Sequence, residues 1–151
     1  MFDNKDEATI LATLSSTLTD SVNGYRESAG HVDAPQLKQL FQEMADERAQ
    51  VAGELKSEAS RLGGEPDSDG STAGYLHQRF LDLKAAITGR DDQAVVNEVE
   101  RGEDYLKEKF EAALASDQLT GTSRAAVDRA FQSVRKGHDR VSALKHSMAQ
   151  S

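Results

Sequence analysis

The sequence contains no cysteine among its 151 residues. Without a thiol, the chain can form no disulfide, has no cysteine nucleophile and cannot bind a metal through thiolate sulfur. It also has no tryptophan, and its two prolines leave long stretches in which nothing interrupts a helix. These absences exclude the disulfide-bonded, thiol-dependent and cysteine–zinc classes of protein.

Basic clusters and long apolar runs are missing as well. The chain has 18 Lys and Arg against 26 Asp and Glu, a formal net charge of −8, and its basic residues are dispersed among acidic ones. Because binding to phosphate backbones relies on a clustered basic face, we expect neither nucleic acid nor an anionic membrane as a partner. No apolar run approaches the roughly 20 residues that span a bilayer, and no signal-peptide pattern precedes the first helix. We therefore expect a cytoplasmic protein.

Good helix formers dominate what remains, with apolar residues spaced three or four apart along most of the chain. This periodicity predicts long helices over residues 4–29, 33–62, 92–115 and 122–148, and a shorter one over 72–88. Asp33 is expected to cap the second helix, and Asp91 or Asp92 the third. The prediction is a single all-α domain over residues 1–151, a four-helix bundle. Its long connection, with the loop 65–71 and the short helix, lets the third helix run parallel to the second.

Three of the long helices each carry one charged or titratable residue in the middle of an apolar face. A charge on a packed face costs several kcal/mol unless it is paired or bound to a metal. Any chemistry of this chain is therefore expected at these three positions. They are Arg48, within Leu37, Phe41, Met44, Val51 and Leu55; Glu103, within Val96, Val99, Leu106, Phe110 and Ala113; and His138, within Val127, Phe131, Val134, Val141 and Leu144.

An ordered set of short segments carries a resemblance to a known family. The segments are Gly24-Tyr25, Glu47-Arg48, Arg61-Leu62-Gly63-Gly64-Glu65-Pro66, Asp82-Leu83-Lys84-Ala85-Ala86, Glu100-Arg101-Gly102-Glu103-Asp104 and His138-Asp139-Arg140-Val141. With them, the chain resembles a small bacterial family of ferritin-like four-helix-bundle proteins of unknown function, over nearly its full length. The resemblance implies a ferritin-like bundle with a long crossover between the second and third helices, and it implies little about activity.

Ferritin-like proteins build a di-iron site from one Glu on each of two helices and a Glu-x-x-His pair on each of the other two. Carried over by resemblance, Glu103 falls on one carboxylate position and His138 on one histidine position. The other positions fall on Leu18, Arg48, Val51 and Arg135, of which none is a metal ligand. A guanidinium cannot deprotonate and would repel a divalent cation nearby.

Two interpretations of these residues follow. In the first, Arg48, Glu103, His138 and Arg135 form a salt-bridged polar layer in the core, and no cofactor is expected. In the second, Glu103 and His138, helped by Glu100, Glu47 or Asp20, bind iron, manganese or zinc. A partly solvated pocket that binds a small ligand is compatible with either interpretation.

The polar-layer interpretation favours a protein without catalytic residues that acts in interaction or stress protection. We expect it to self-associate, as a dimer or higher, through leftover apolar surface. The alternative is a metal-binding protein of the di-iron or di-manganese type with a sparse ligand set, so whether the chain is an enzyme stays open. No Gly-rich phosphate loop and no nucleophile elbow is present in the sequence.

Overall fold

The computed structural model describes residues 4–63, Ala85 and 91–149. These residues form α-helices and contain no strand, which confirms the all-α prediction. The helices are α1 (Asn4–His31), α2 (Pro35–Arg61), α3 (Asp92–Ala115) and α4 (Gly121–Ala149). Their bounds agree with the predicted ones to within two residues. The predicted loop over 65–71 lies outside the described residues, as does the predicted helix over 72–88 apart from Ala85.

The starts of α2 and α3 are capped differently. α3 begins as expected, because the Asp91 side chain accepts a hydrogen bond from the backbone N–H of Gln93 at 3.0 Å. At α2 the N-cap residue is Ala34, and no side-chain cap bond is formed there. Instead, the carboxylate of Asp92 accepts the backbone N–H groups of Asp33 and Ala34, each at 3.1 Å. The prediction that Asp33 caps α2 is therefore wrong, because an acceptor from another helix serves this end.

The four helices pack as a bundle in which α2 and α3 lie on a diagonal. α1 packs against α2 and α3, and α4 packs against the same two helices. Along both the α2–α4 and the α3–α4 seam, residue numbers rise on one helix as they fall on the other. The contacts are Glu43–Arg140 and Glu47–Ser133 on the first seam, and Glu100–Lys145 and Asp104–His138 on the second. Since both α2 and α3 run antiparallel to α4, they run parallel to each other.

The buried apolar residues form two clusters, one towards each end of the bundle. The first includes Leu18, Leu55, Phe110 and Val127, and the second includes Tyr25, Phe41, Val96 and Val141. Between these clusters lies a layer in which the chain places polar groups and a glycine. In the part of the chain that the structure describes, no helix is both long and apolar enough to cross a membrane.

Candidate functional site

Arg48 and Glu103 meet in the central layer of the bundle. Arg48 Nη1 donates to Glu103 Oε1 at 2.7 Å, and Arg48 Nη2 donates to Glu103 Oε2 at 2.9 Å. Their side chains are 1% and 2% exposed. Two parallel bonds between a guanidinium and a carboxylate make the strongest pairing of these groups. Because α2 and α3 lie on a diagonal, this ion pair joins two helices whose backbones do not approach each other.

The other two helices complete the surroundings of the ion pair. From α1, Ser21 Oγ accepts a further bond from Arg48 Nη1 at 2.8 Å, and the Tyr25 ring centre lies 5.6 Å from the guanidinium carbon. From α4, Gly137 comes so close that an added Cβ would lie under 3.0 Å from Arg48 Nη2. Each of the four described helices therefore contributes at least one part of the layer.

Burial and charge determine the protonation of this layer. Burial alone would lower the pKa of the Arg48 guanidinium, but the charge and hydrogen bonds of Glu103 outweigh it and raise that pKa above its usual value. Burial, followed by the charge of Glu103, raises the pKa of Tyr25 well above its ordinary value. The Tyr25 hydroxyl is buried and makes no hydrogen bond of normal geometry within the described residues, although Glu103 is close enough to raise its pKa. The layer holds a permanent cation beside a carboxylate and a neutral phenol.

His138 and Arg135, which we expected in the layer, lie outside it. His138 occupies the groove between α3 and α4, where its Nε2 lies 2.6 Å from Asp104 Oδ1 and its Nδ1 lies 3.4 Å from Asp139 Oδ1. Arg135 is exposed, with its guanidinium carbon 5.9 Å from the centre of the Phe131 ring. The physical reason is the rotation of α4, which turns residue 137 and not residue 138 towards the core.

Four of the residues named as candidate metal ligands each have a different partner. Both carboxylate oxygens of Glu103 bond to Arg48. The others have partners elsewhere: His138 with Asp104, Glu100 with Lys145 at 2.7 Å, and Glu47 with Ser133 at 3.2 Å. Among residues 4–63, 85 and 91–149, no three His, Asp or Glu side chains form a group that could hold a metal ion. The described donors do not fit a di-metal centre, because Glu103, the carboxylate of the central layer, is already bonded to a permanent cation.

Sequence reasoning did not place Ser21, Tyr25 or Gly137 in the layer. Ser21 lies beside Val22 of the apolar series on α1, and the hydropathy of a serine there does not mark it as part of a site. Gly137 did offer a different signal. A glycine inside a strongly periodic helix destabilises that helix, and it often marks a place where another group packs closely against the backbone. A search for mid-helix glycines would have found Gly137 together with Gly53 and Gly102, at which an added Cβ meets nothing, so the sequence does not separate them.

The fold and the site together define a four-helix bundle whose centre is a buried arginine–glutamate pair. The chain belongs to the DUF2383 family, described as a domain of unknown function, which matches residues 6–116. The matched segment contains Ser21, Tyr25, Arg48 and Glu103, whereas Gly137 lies beyond it. A comparison with curated proteins finds no significant match.

Proposed function

We propose that this protein is a ferritin-like bundle without catalytic activity, in which the Arg48–Glu103 pair takes the place of a di-metal centre. In this proposal it acts in the cytoplasm by interaction, with itself or with other proteins, or in stress protection. The observation that carries the proposal is the two-bond pairing of Arg48 with Glu103 in the buried layer.

The ferritin-like part of the proposal is supported by the directions of the helices. α2 and α3 run parallel, and residues 62–91 separate them in the sequence. A single long crossover between the second and third helices is the connectivity of ferritin-like bundles. The layer also receives contributions from all four described helices, as the metal centre of such a bundle does.

The absence of catalysis by a metal is supported by the charge of Arg48. A guanidinium stays protonated at every pH that a folded protein experiences. At 4 Å, and with an effective dielectric constant of about 20, it would repel a divalent cation by roughly 8 kcal/mol. The same carboxylate oxygens that a metal would need are those that Arg48 holds. Binding a metal there would require breaking the ion pair and moving the arginine.

Metal analysis of the purified protein tests this proposal. The protein is expressed with iron, manganese and zinc in turn, and bound metal is measured by elemental analysis. We expect metal far below one equivalent and no rise in melting temperature when metal is added. Stoichiometric metal that is lost in Glu103→Ala, but kept in the exposed control Glu108→Ala on the same helix, would favour the metal-binding alternative and overturn the proposal.

A further inference from the structure

Gly137 lies in the middle of α4, where glycine is an unfavourable residue. Relative to alanine, glycine in a helix interior lowers the folding equilibrium constant about fivefold. Gly53 in α2 and Gly102 in α3 also lie inside helices, but an added Cβ at either would meet no atom within 4 Å. Gly137 is different because its neighbours come from three separate side chains of the central layer.

An added Cβ at Gly137 would lie under 3.0 Å from Arg48 Nη2, 2.5 Å from Met44 Cε and 3.3 Å from Glu103 Oε2. The methyl group of Met44 ends a flexible side chain and can move aside. Arg48 Nη2 is held in place, because it donates to Glu103 Oε2 at 2.9 Å. Any atom that displaces this nitrogen must therefore lengthen or break one of the two bonds of the ion pair.

We propose that Gly137 is the positioning residue that admits the Arg48–Glu103 pair to the core. α4 covers the ion pair closely only because residue 137 has no side chain. A larger residue at this position separates the guanidinium from the carboxylate or pushes α4 outwards. The inference rests on the proposed function in one respect, since it names the residue that lets an ion pair occupy the place of a metal centre.

A set of glycine-to-alanine variants tests the proposal by urea denaturation. The matched controls Gly53→Ala and Gly102→Ala are expected to raise the folding equilibrium constant about fivefold, because alanine is the better helix former. Gly137→Ala is expected to lower it about tenfold or more, because the new methyl group overpacks the layer. A rise at Gly137 equal to that of the controls would overturn the proposal.

Removal of the ion pair separates the proposed role from simple crowding. In an Arg48→Met/Glu103→Leu background, Gly137→Ala should behave as the controls do and raise the equilibrium constant about fivefold. The same loss in this background as in the natural chain would contradict a role for Gly137 in admitting the pair. If this background does not fold, Arg48→Lys serves instead, because its shorter side chain should reduce the loss caused by Gly137→Ala.

Met44 provides the last comparison. In a Met44→Ala background with the ion pair intact, Gly137→Ala should still lower the equilibrium constant. If the loss disappears there, the glycine accommodates Met44 and not Arg48, and the proposal is wrong. These measurements do not depend on metal content, so failure of this inference and failure of the proposed function are distinguishable.

Discussion

Arg48 and Glu103 are each unfavourable in the core alone and are stabilised there by one another. Taking one charged group out of water costs several kcal/mol, and mutual attraction and hydrogen bonds roughly offset that cost for a well-formed pair. Here the pair has both bonds of good length and a further acceptor in Ser21. The pair therefore need not add net stability. Its larger effect is to fix which faces of α2 and α3 point towards the centre of the bundle.

Single substitutions of the pair should lower the free energy of unfolding, whereas the double substitution should leave it unchanged or raise it. Arg48→Met or Glu103→Leu alone leaves one buried charge, so we expect a loss of about 3–5 kcal/mol in the free energy of unfolding. The double variant should be unchanged or more stable by up to about 4 kcal/mol. As a control, Arg101→Ala removes the ion pair with Glu98, in which the arginine side chain is 63% exposed, and should change stability by less than about 0.5 kcal/mol. Equal losses in single and double variants would contradict this account.

Tyr25 should make stability depend on alkaline pH. Its pKa in the folded chain lies well above the value of 10.0 for an unperturbed tyrosine, so the folded state holds the phenolic proton more tightly than the unfolded state. This contribution is complete below pH 10 and is lost as the pH rises further. We expect Tyr25→Phe, which cannot ionise, to lose stability less steeply above pH 10 in denaturation at a series of pH values. Identical slopes for the two chains would contradict the expectation.

The charged residues on apolar faces could be found from sequence, but the residue of α4 that faces them could not. Arg48 and Glu103 interrupt periodic apolar series, which is a strong signal because few chains bury such groups. On α4 the same reasoning chose His138. Glycine has no side chain to mark a face, and an error of one residue rotates the position by about 100°. On α4 the residue that faces the layer is Gly137, one position before the predicted His138 and two after the predicted Arg135.

At the scale of helices, carboxylates and a guanidinium hold the turns at both ends of the bundle. At one end, Asp92 of α3 accepts two backbone N–H groups at the start of α2. At the other, Glu7 of α1 accepts the backbone N–H of Thr120, between α3 and α4. In the same turn, the Arg124 side chain donates to the carbonyl oxygens of Leu114, Ser116 and Leu119 at 2.9, 2.7 and 3.1 Å. The bonds of Asp92 and Glu7 join the α1–α2 hairpin to the α3–α4 hairpin, whereas those of Arg124 close the turn within the α3–α4 hairpin.

Asp92 should therefore contribute more to the stability of α2 than Asp33, although Asp33 lies only two residues before the start of that helix. Asp92→Ala leaves two backbone donors without their acceptor, and we expect a loss of about 1–2 kcal/mol, the usual value for a lost cap. Asp33→Ala is the matched control and should change stability by less than about 0.5 kcal/mol, as most surface substitutions do. Thermal unfolding measures both. A larger loss for Asp33→Ala would restore Asp33 as the cap.

Helix bounds were predictable because their signals are local. Gly63, with a φ of 86°, ends α2 as its sequence position indicates, and Asp91 caps α3 two residues from the group that it bonds. The cap on α2 comes from a residue 59 positions away from Asp33. Such a partner depends on how the helices pack, so a reading of neighbouring residues cannot find it.

At the scale of the whole molecule, the parallel course of α2 and α3 followed from the length of their connection. A short loop would have returned the chain antiparallel, whereas residues 62–91 are long enough to run back along the bundle. As a consequence, the two hairpins pack mainly through the α2–α4 and α1–α3 contacts. The ion pair joins α2 and α3, which lie diagonally opposite each other. Sequence could predict this arrangement, but the polar contacts that fasten it required the structure.

Self-association is the last expectation, and salt should reveal it. Leu40 and Leu144 remain partly exposed beside the second apolar cluster, and they offer apolar area to another copy. Each copy carries a net charge of −8, so like charges oppose association at low ionic strength, and added salt screens them. We therefore expect the weight-average mass from light scattering to rise with salt.

Leu144→Gln should reduce that rise in mass, while Ile10→Gln, beside the first cluster, should reduce it less. A monomer at every salt concentration would show that the bundle does not associate with itself, and a response to Ile10→Gln alone would place the contact at the opposite end.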